Sequence, residues 1–84
     1  MLTKRDRDAA YKKIEELQRR RADNVRKCKE AAGGWTELAK WTGLSTNLLI
    51  GIAGESPIRS VGERLARRIE IALGLADGWM DQEH

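Results

Sequence analysis

Apolar residues recur along this chain at intervals of three and four, the spacing that gathers them on one face of a helix. Ala10, Ile14, Leu17, Val25, Cys28 and Ala32 form one such stripe across residues 6–32, with Arg21 its one polar intruder. Gly33-Gly34 ends it, because glycine readily takes the left-handed conformation that closes helices. Unbroken, this helix would be on the order of 37 Å long. Asp23 or Asn24 could instead cap a new start, so one helix or two fit the pattern. Further helices are expected over residues 35–41 and 46–53, the latter ended by Gly54-Glu55. Ser56-Pro57 then reads as a cap followed by proline at a first helical position. Ser60 with Glu63 reads as a capping box for a last long helix. That helix would bury Val61, Leu65, Ala66, Ile69, Ala72 and Leu73 and end at Gly74. The tail LADGWMDQEH adds one turn through Trp79 and Met80. No alternating run of β-branched or aromatic residues signals a strand, so the fold class is all-α.

The informative feature is the break at Thr42-Gly43-Leu44-Ser45, between two apolar stripes that a straight helix would join. A turn this short makes its flanking helices cross steeply, as in a helix-turn-helix. Each residue fits that demand. Ala39 is small where the helices approach closest, Gly43 supplies a positive φ, and Leu44 tucks under the turn. Ser45 caps the next helix, while Leu38, Leu49 and Ile52 point into the core.

ELAKWTGLSTNLLIGIAGES followed by GERLARRIEIALGL resembles the lambda-repressor and Cro type of helix-turn-helix found in phage and prophage regulators. The likeness covers roughly residues 22–80. It rests on Leu38-Ala39, Gly43, Leu44 and Leu49, taken with Ala66, Ile69 and Ala72-Leu73-Gly74 at the right separation. The ending Gly78-Trp79-Met80-Asp81 also resembles the short tail of some phage-type members. The resemblance implies a small lambda-repressor-like bundle spanning residues 22–84, preceded by an extended N-terminal helix over residues 1–21. It implies that the helix beginning near Ser45 enters the DNA major groove, presenting Ser45, Thr46, Asn47, Ile50 and Gly51. Asn47 suits base readout, because an amide bonds adenine bidentately. Gly34, Trp35 and the first amides of the second helix would lie near a phosphate. Lys40 and Arg59 are candidate backbone contacts. The sequence departs from the family in two ways. Trp35 stands where a polar residue, commonly glutamine, is usual. The recognition helix also carries Leu48 and Ile50 on or near its outer side and no Lys or Arg. Thymine methyls and DNA shape, backbone affinity, or a protein partner would each fit such a face.

Charge adds to this picture. Residues 1–30 hold 11 Lys/Arg against 6 Asp/Glu, and residues 31–84 hold 5 against 7. The basic first third suits a polyanion as well as it suits a solvated helix. Ala10, Ile14 and Leu17 form an apolar seam upstream of the presumed core, so this stretch is expected to be an assembly helix. Arg19, Arg20 and Arg21 would be free for phosphate. Paired half-sites then call for a dimer or larger homo-oligomer on double-stranded DNA. The residues offer little else. At 84 residues the chain is a single small domain. Cys28 is alone and on the apolar stripe, His84 is the only histidine, no metal spacing exists, and Gly33-Gly34 is not a phosphate loop. No enzyme, cofactor, metal or small-molecule substrate is expected. The apolar content of residues 4–21 is thin for a membrane surface. The lack of a signal core or disulfide pair favours the cytoplasm. Trp35, Trp41 and Trp79 suit core or subunit packing better than stacking on single-stranded nucleic acid, Trp41 lying nearest the edge of the buried face. An oligomeric adaptor that keeps the fold without specific DNA binding, or an antitoxin-like autoregulator, are the alternatives.

Overall fold

The computed structural model describes residues 3–84. Met1 and Leu2, the start of the expected N-terminal extension, lie outside them. Four helices follow one another: α1 (Lys4–Ala32), α2 (Trp35–Thr42), α3 (Thr46–Ala53) and α4 (Glu63–Leu73). A short 3₁₀ turn, Trp79–Asp81, completes the fold, and the described residues contain no strand. α1 is continuous through Asp23 and Asn24. At 29 residues it is about 43 Å long and accounts for the 45 Å long axis of the molecule. It starts at a capping box that the apolar pattern did not reveal. Thr3 Oγ1 accepts from the Asp6 amide (3.1 Å) and Asp6 Oδ2 accepts from the Thr3 amide (3.2 Å).

Asn24 does not cap a helix. Its fully buried side chain donates from Nδ2 to the carbonyls of Met80 (2.7 Å) and Gln82 (2.8 Å), fastening the tail to α1. Arg21 is likewise buried rather than free for phosphate. Its Nε and Nη2 donate to the two oxygens of Asp81 (2.7 and 3.3 Å), and Nη1 donates to the Val61 carbonyl (3.1 Å). Hydrogen bonding from Arg21, opposed by partial burial and aided by Arg67, holds the Asp81 carboxyl below its usual range. Arg67 Nη2 lies 2.8 Å from Asp81 and Nε 3.1 Å from Glu70, both at oblique angles.

The core joins Val25 and Cys28 of α1 to Leu38, Leu44, Leu49, Ile52, Ala53, Val61, Ala66, Ile69 and Met80. Burial pushes the Cys28 thiol above its ordinary value, which suits a structural role. α4 departs from its expected face. Ala72 is exposed, whereas Glu70 is buried, its carboxylate accepting from the Gly78 (3.1 Å) and Met80 (2.8 Å) amides. No helix starts at Pro57, and Ser60 forms no capping box. Gly62 precedes α4 with extended backbone and no side-chain cap. The reason lies in residues 54–60, which fold back on α3 so that the Ile58 and Arg59 amides both reach the Gly51 carbonyl (2.9 and 3.1 Å). No helix of the described residues is long and apolar enough to cross a membrane.

Candidate nucleic-acid interface

The turn between α2 and α3 is built as its residues require. Gly43 has φ 73° and donates to the Ala39 carbonyl (2.9 Å), a left-handed conformation costly for any side chain. Thr42 Oγ1 donates to the Leu38 carbonyl (2.8 Å) and accepts from the Leu44 amide (3.3 Å). Ser45 Oγ accepts from the Leu48 amide (3.1 Å) and starts α3. Leu38, Leu49 and Ile52 are fully buried. α3 has no basic residue in its last turn, and α1 supplies one. Arg26 Nε donates to the Ala53 carbonyl (2.8 Å) and Nη2 to the Gly54 carbonyl (3.3 Å), while Asp23 holds Nη1 (2.6 Å). A guanidinium there satisfies open carbonyls and meets the negative end of the helix dipole. α3 is therefore fixed at both ends.

Around its open side, Ser45, Asn47, Leu48, Gly51, Ile58 and Arg59 line one shallow cleft of about 270 Å³. Ser45, Asn47 and Ile50 are exposed, and Thr46 is half-buried. Leu48 is half-buried and packs on the core rather than facing outward. Gly51 is partly covered, because the returning Ile58–Arg59 segment lies on it. A methyl at 51 would already touch Ile58 (3.8 Å). That segment brings Arg59 to a helix with no cation of its own. Arg59 also borders a second cleft with Arg19 and Arg26, so three guanidinium-bearing residues meet beside α3. Of the three arginines 19–21, Arg19 is exposed, Arg20 stands 3.9 Å from Glu83, and Arg21 is sequestered.

At the start of α2, Gly34 is not available to an anion through its own amide, which donates to the Lys29 carbonyl (3.0 Å) as part of the α1 ending. α2 itself has no side-chain cap, and its first amides have no intrahelical acceptor. Trp35 is half-buried against the core, with Lys29 Nζ 5.5 Å from its ring centre. Lys29 is a further cation that spacing alone did not single out. Lys40 is exposed and pairs with Glu37 (3.4 Å). Trp79 stacks on His84 (3.9 Å between centres), and Trp41 is half-exposed away from the core. The seam residues Ala10 and Ile14 are exposed, along with Tyr11, and Leu17 is half-buried. The described residues contain no cluster of three or more metal-ligating side chains.

The signals for the residues that sequence reasoning missed were partly present. An arginine on an apolar stripe demands a buried acid, but nothing in the sequence identifies Asp81, 60 positions away, as that acid. Arg26 carries no local mark of its place at the end of α3, which depends on how the chain after α3 returns.

No family model matches the chain, and no solved structure matches it. Among curated proteins it is similar to the prophage repressor CohE of Escherichia coli (strain K12), with 31% identity over 64 residues, 76% of this chain. The chain spans 29% of the length of that relative.

Proposed function

We propose that this chain is a sequence-specific double-stranded-DNA-binding regulator of the phage-repressor kind, acting in the cytoplasm as a homo-oligomer on operator DNA rather than as an enzyme. The observation that carries this reading is the cleft in which Ser45 and Asn47 of a doubly anchored α3 meet Arg59, with Arg19 and Arg26 alongside. Asn47 has the donor and acceptor for adenine, and the guanidinium groups of Arg59 and Arg19 suit the flanking phosphates, Arg26 being engaged at the end of α3. The repressor named among its relatives supports the same assignment. Gly51 lines the same cleft, and in this proposal Thr46, Trp35 and Lys40 are secondary contacts to the duplex, with Gly34 contributing through the shape of the α2 start.

The N-terminal part of α1 serves assembly in this reading. Ala10, Tyr11 and Ile14 are exposed on a helix that an isolated chain would hold only marginally in water. The exposed Ile50 and Ile58 also fit an adaptor that binds protein through the same face. Titration against selected and mixed-sequence duplexes at several salt concentrations separates the two. Asn47→Ala is expected to cost about 1–3 kcal/mol on the selected site and little on mixed sequence. Removing Arg19 or Arg59 weakens both alike and lowers the salt slope by about 1 each. No duplex binding, or a flat salt response, would favour the adaptor. Intact discrimination in Asn47→Ala would mean that another face enters the groove.

A further inference from the structure

Asn47, Ile50 and Gly51 lie three and four positions apart and so share one face of α3. Ile50 is 42% exposed on that face. At Gly51, where α3 offers no side chain, the returning segment places Ile58 instead. Its amide is held by the Gly51 carbonyl at 2.9 Å, and the residue remains 83% exposed. Asn47 is thus flanked by two isoleucines, one from the helix and one from the loop, and Arg59 follows directly. Leu48 also lines the cleft but is half-buried against the core, so Ile50 and Ile58 are the exposed large aliphatic residues on and beside it.

From this arrangement we infer that Ile50 and Ile58 read thymine 5-methyl groups on either side of the base pair contacted by Asn47. The inference rests on the double-stranded-DNA reading above and specifies its chemistry. The thymine methyl is the one apolar group on the base edges of the major groove. The surrounding charge selects the occupant. Arg19 and Arg59 line the adjoining cleft, where Arg26 is already engaged by Asp23 and the end of α3, so a polyanion is drawn to this face and an apolar protein surface is not. Gly51 leaves room for Ile58 to lie on the helix, and Ile58 is fixed there by its amide while most of its surface stays exposed. With no lysine or arginine on α3 to bond guanine, discrimination falls to Asn47 for adenine and to the two isoleucines for neighbouring thymines.

The test begins with a duplex selected from a random pool by the full chain. That duplex is remade with deoxyuridine replacing each thymidine in turn, which removes the 5-methyl and leaves base pairing intact. Burying one methyl-sized group corresponds to roughly a fourfold change in affinity, and a loss of that size is expected at the contacted positions. Ile50→Ala and Ile58→Ala should each abolish the uridine penalty at one position while retaining the helical signal of the parent. Equal affinity for the thymidine and deoxyuridine duplexes would overturn the methyl readout and leave DNA binding standing. A penalty that persists in both variants would also overturn it, assigning the methyls to other residues. Failure to select or bind any duplex would remove the DNA reading and this inference with it.

Discussion

The ion pair between Arg21 and Asp81 ties the middle of α1 to the tail, and cutting it from each side should give unequal results. Arg21 has a side chain 9% exposed and Asp81 one 29% exposed. Asp81→Ala leaves a buried guanidinium with only the Val61 carbonyl as a direct partner. Removing one member of a buried pair typically costs 3–5 kcal/mol. Water reaches part of Asp81, so about 2–4 kcal/mol is expected here. A chain of this length has a total stability of roughly 4–13 kcal/mol, so the loss should lower the melting temperature by about 8–32 °C. Arg21→Met should cost less. It leaves Asp81 partly hydrated and still 2.8 Å from Arg67, and it fills the space with an apolar side chain. Urea denaturation of both single variants and the double variant gives the coupling, expected at about 1–3 kcal/mol. Single effects that add without coupling would mean that the pair contributes nothing as a pair.

The same contact sets a pH dependence. The folded pKa of Asp81 is depressed, chiefly by the hydrogen bonds from Arg21. Its stabilising contribution is therefore complete above the ordinary carboxylate value of about 3.9. It is lost as pH falls from there through the lower folded value. The parent chain should lose stability in that acid window, and Asp81→Ala should lose correspondingly less. Equal slopes in the two proteins would contradict the assignment.

Three further predictions concern backbone and assembly. Gly43→Val should cost roughly 1–2 kcal/mol or more through left-handed strain. Gly54→Ala should cost about 1–3 kcal/mol, because its Cβ would stand 2.6 Å from the Ile50 carbonyl oxygen; unchanged thermal melting in either variant would refute its stated cause. Tyr11→Glu with Ile14→Glu in the full chain should reduce self-association in sedimentation without changing the helical spectrum, and unaltered sedimentation would move the seam elsewhere, with Trp41 and Ile71 the next exposed apolar residues to test.

The helix-turn-helix was legible because its demands are local. A positive φ at Gly43, a cap at Ser45 and buried leucines at 38 and 49 follow from neighbours within a few positions, and the structure contains each. The start of α4 was misread for the opposite reason. Ser60 and Glu63 have capping-box spacing, but the Ile58 and Arg59 amides bond to Gly51, and that tertiary choice draws residues 54–60 out of helix. Asn24 and Arg21 show the same limit. Their side chains bond to residues more than 50 positions away, so local spacing suggested a cap for one and phosphate for the other. For the candidate interface, α3 could be located from the sequence. Arg59 and Arg19 were legible as candidate contacts, but Arg26 was not, and neither was the convergence of the three, which exists only once the segment after α3 has returned.

That convergence bears on how α1 and α3 are joined mechanically. Arg21, Asn24 and Arg26 occupy the same continuous helix whose earlier residues, 4–16, are exposed. Arg26 grips the end of α3, and Arg21 and Asn24 grip the tail. No loop or glycine intervenes between these anchors and the free part of α1, and a helix of this kind bends only gently. A second copy held through residues 10–14 would therefore stand in a fixed relation to α3. The separation of two recognition helices would then be set by the helix itself rather than by a flexible linker, and tolerance to altered half-site spacing should be narrow. Arg21→Met, which loosens an anchor of α1, should widen that tolerance as well as lower stability. Weakening α1 far from the DNA should thus alter which operator spacings are bound, although no residue touching a base has changed.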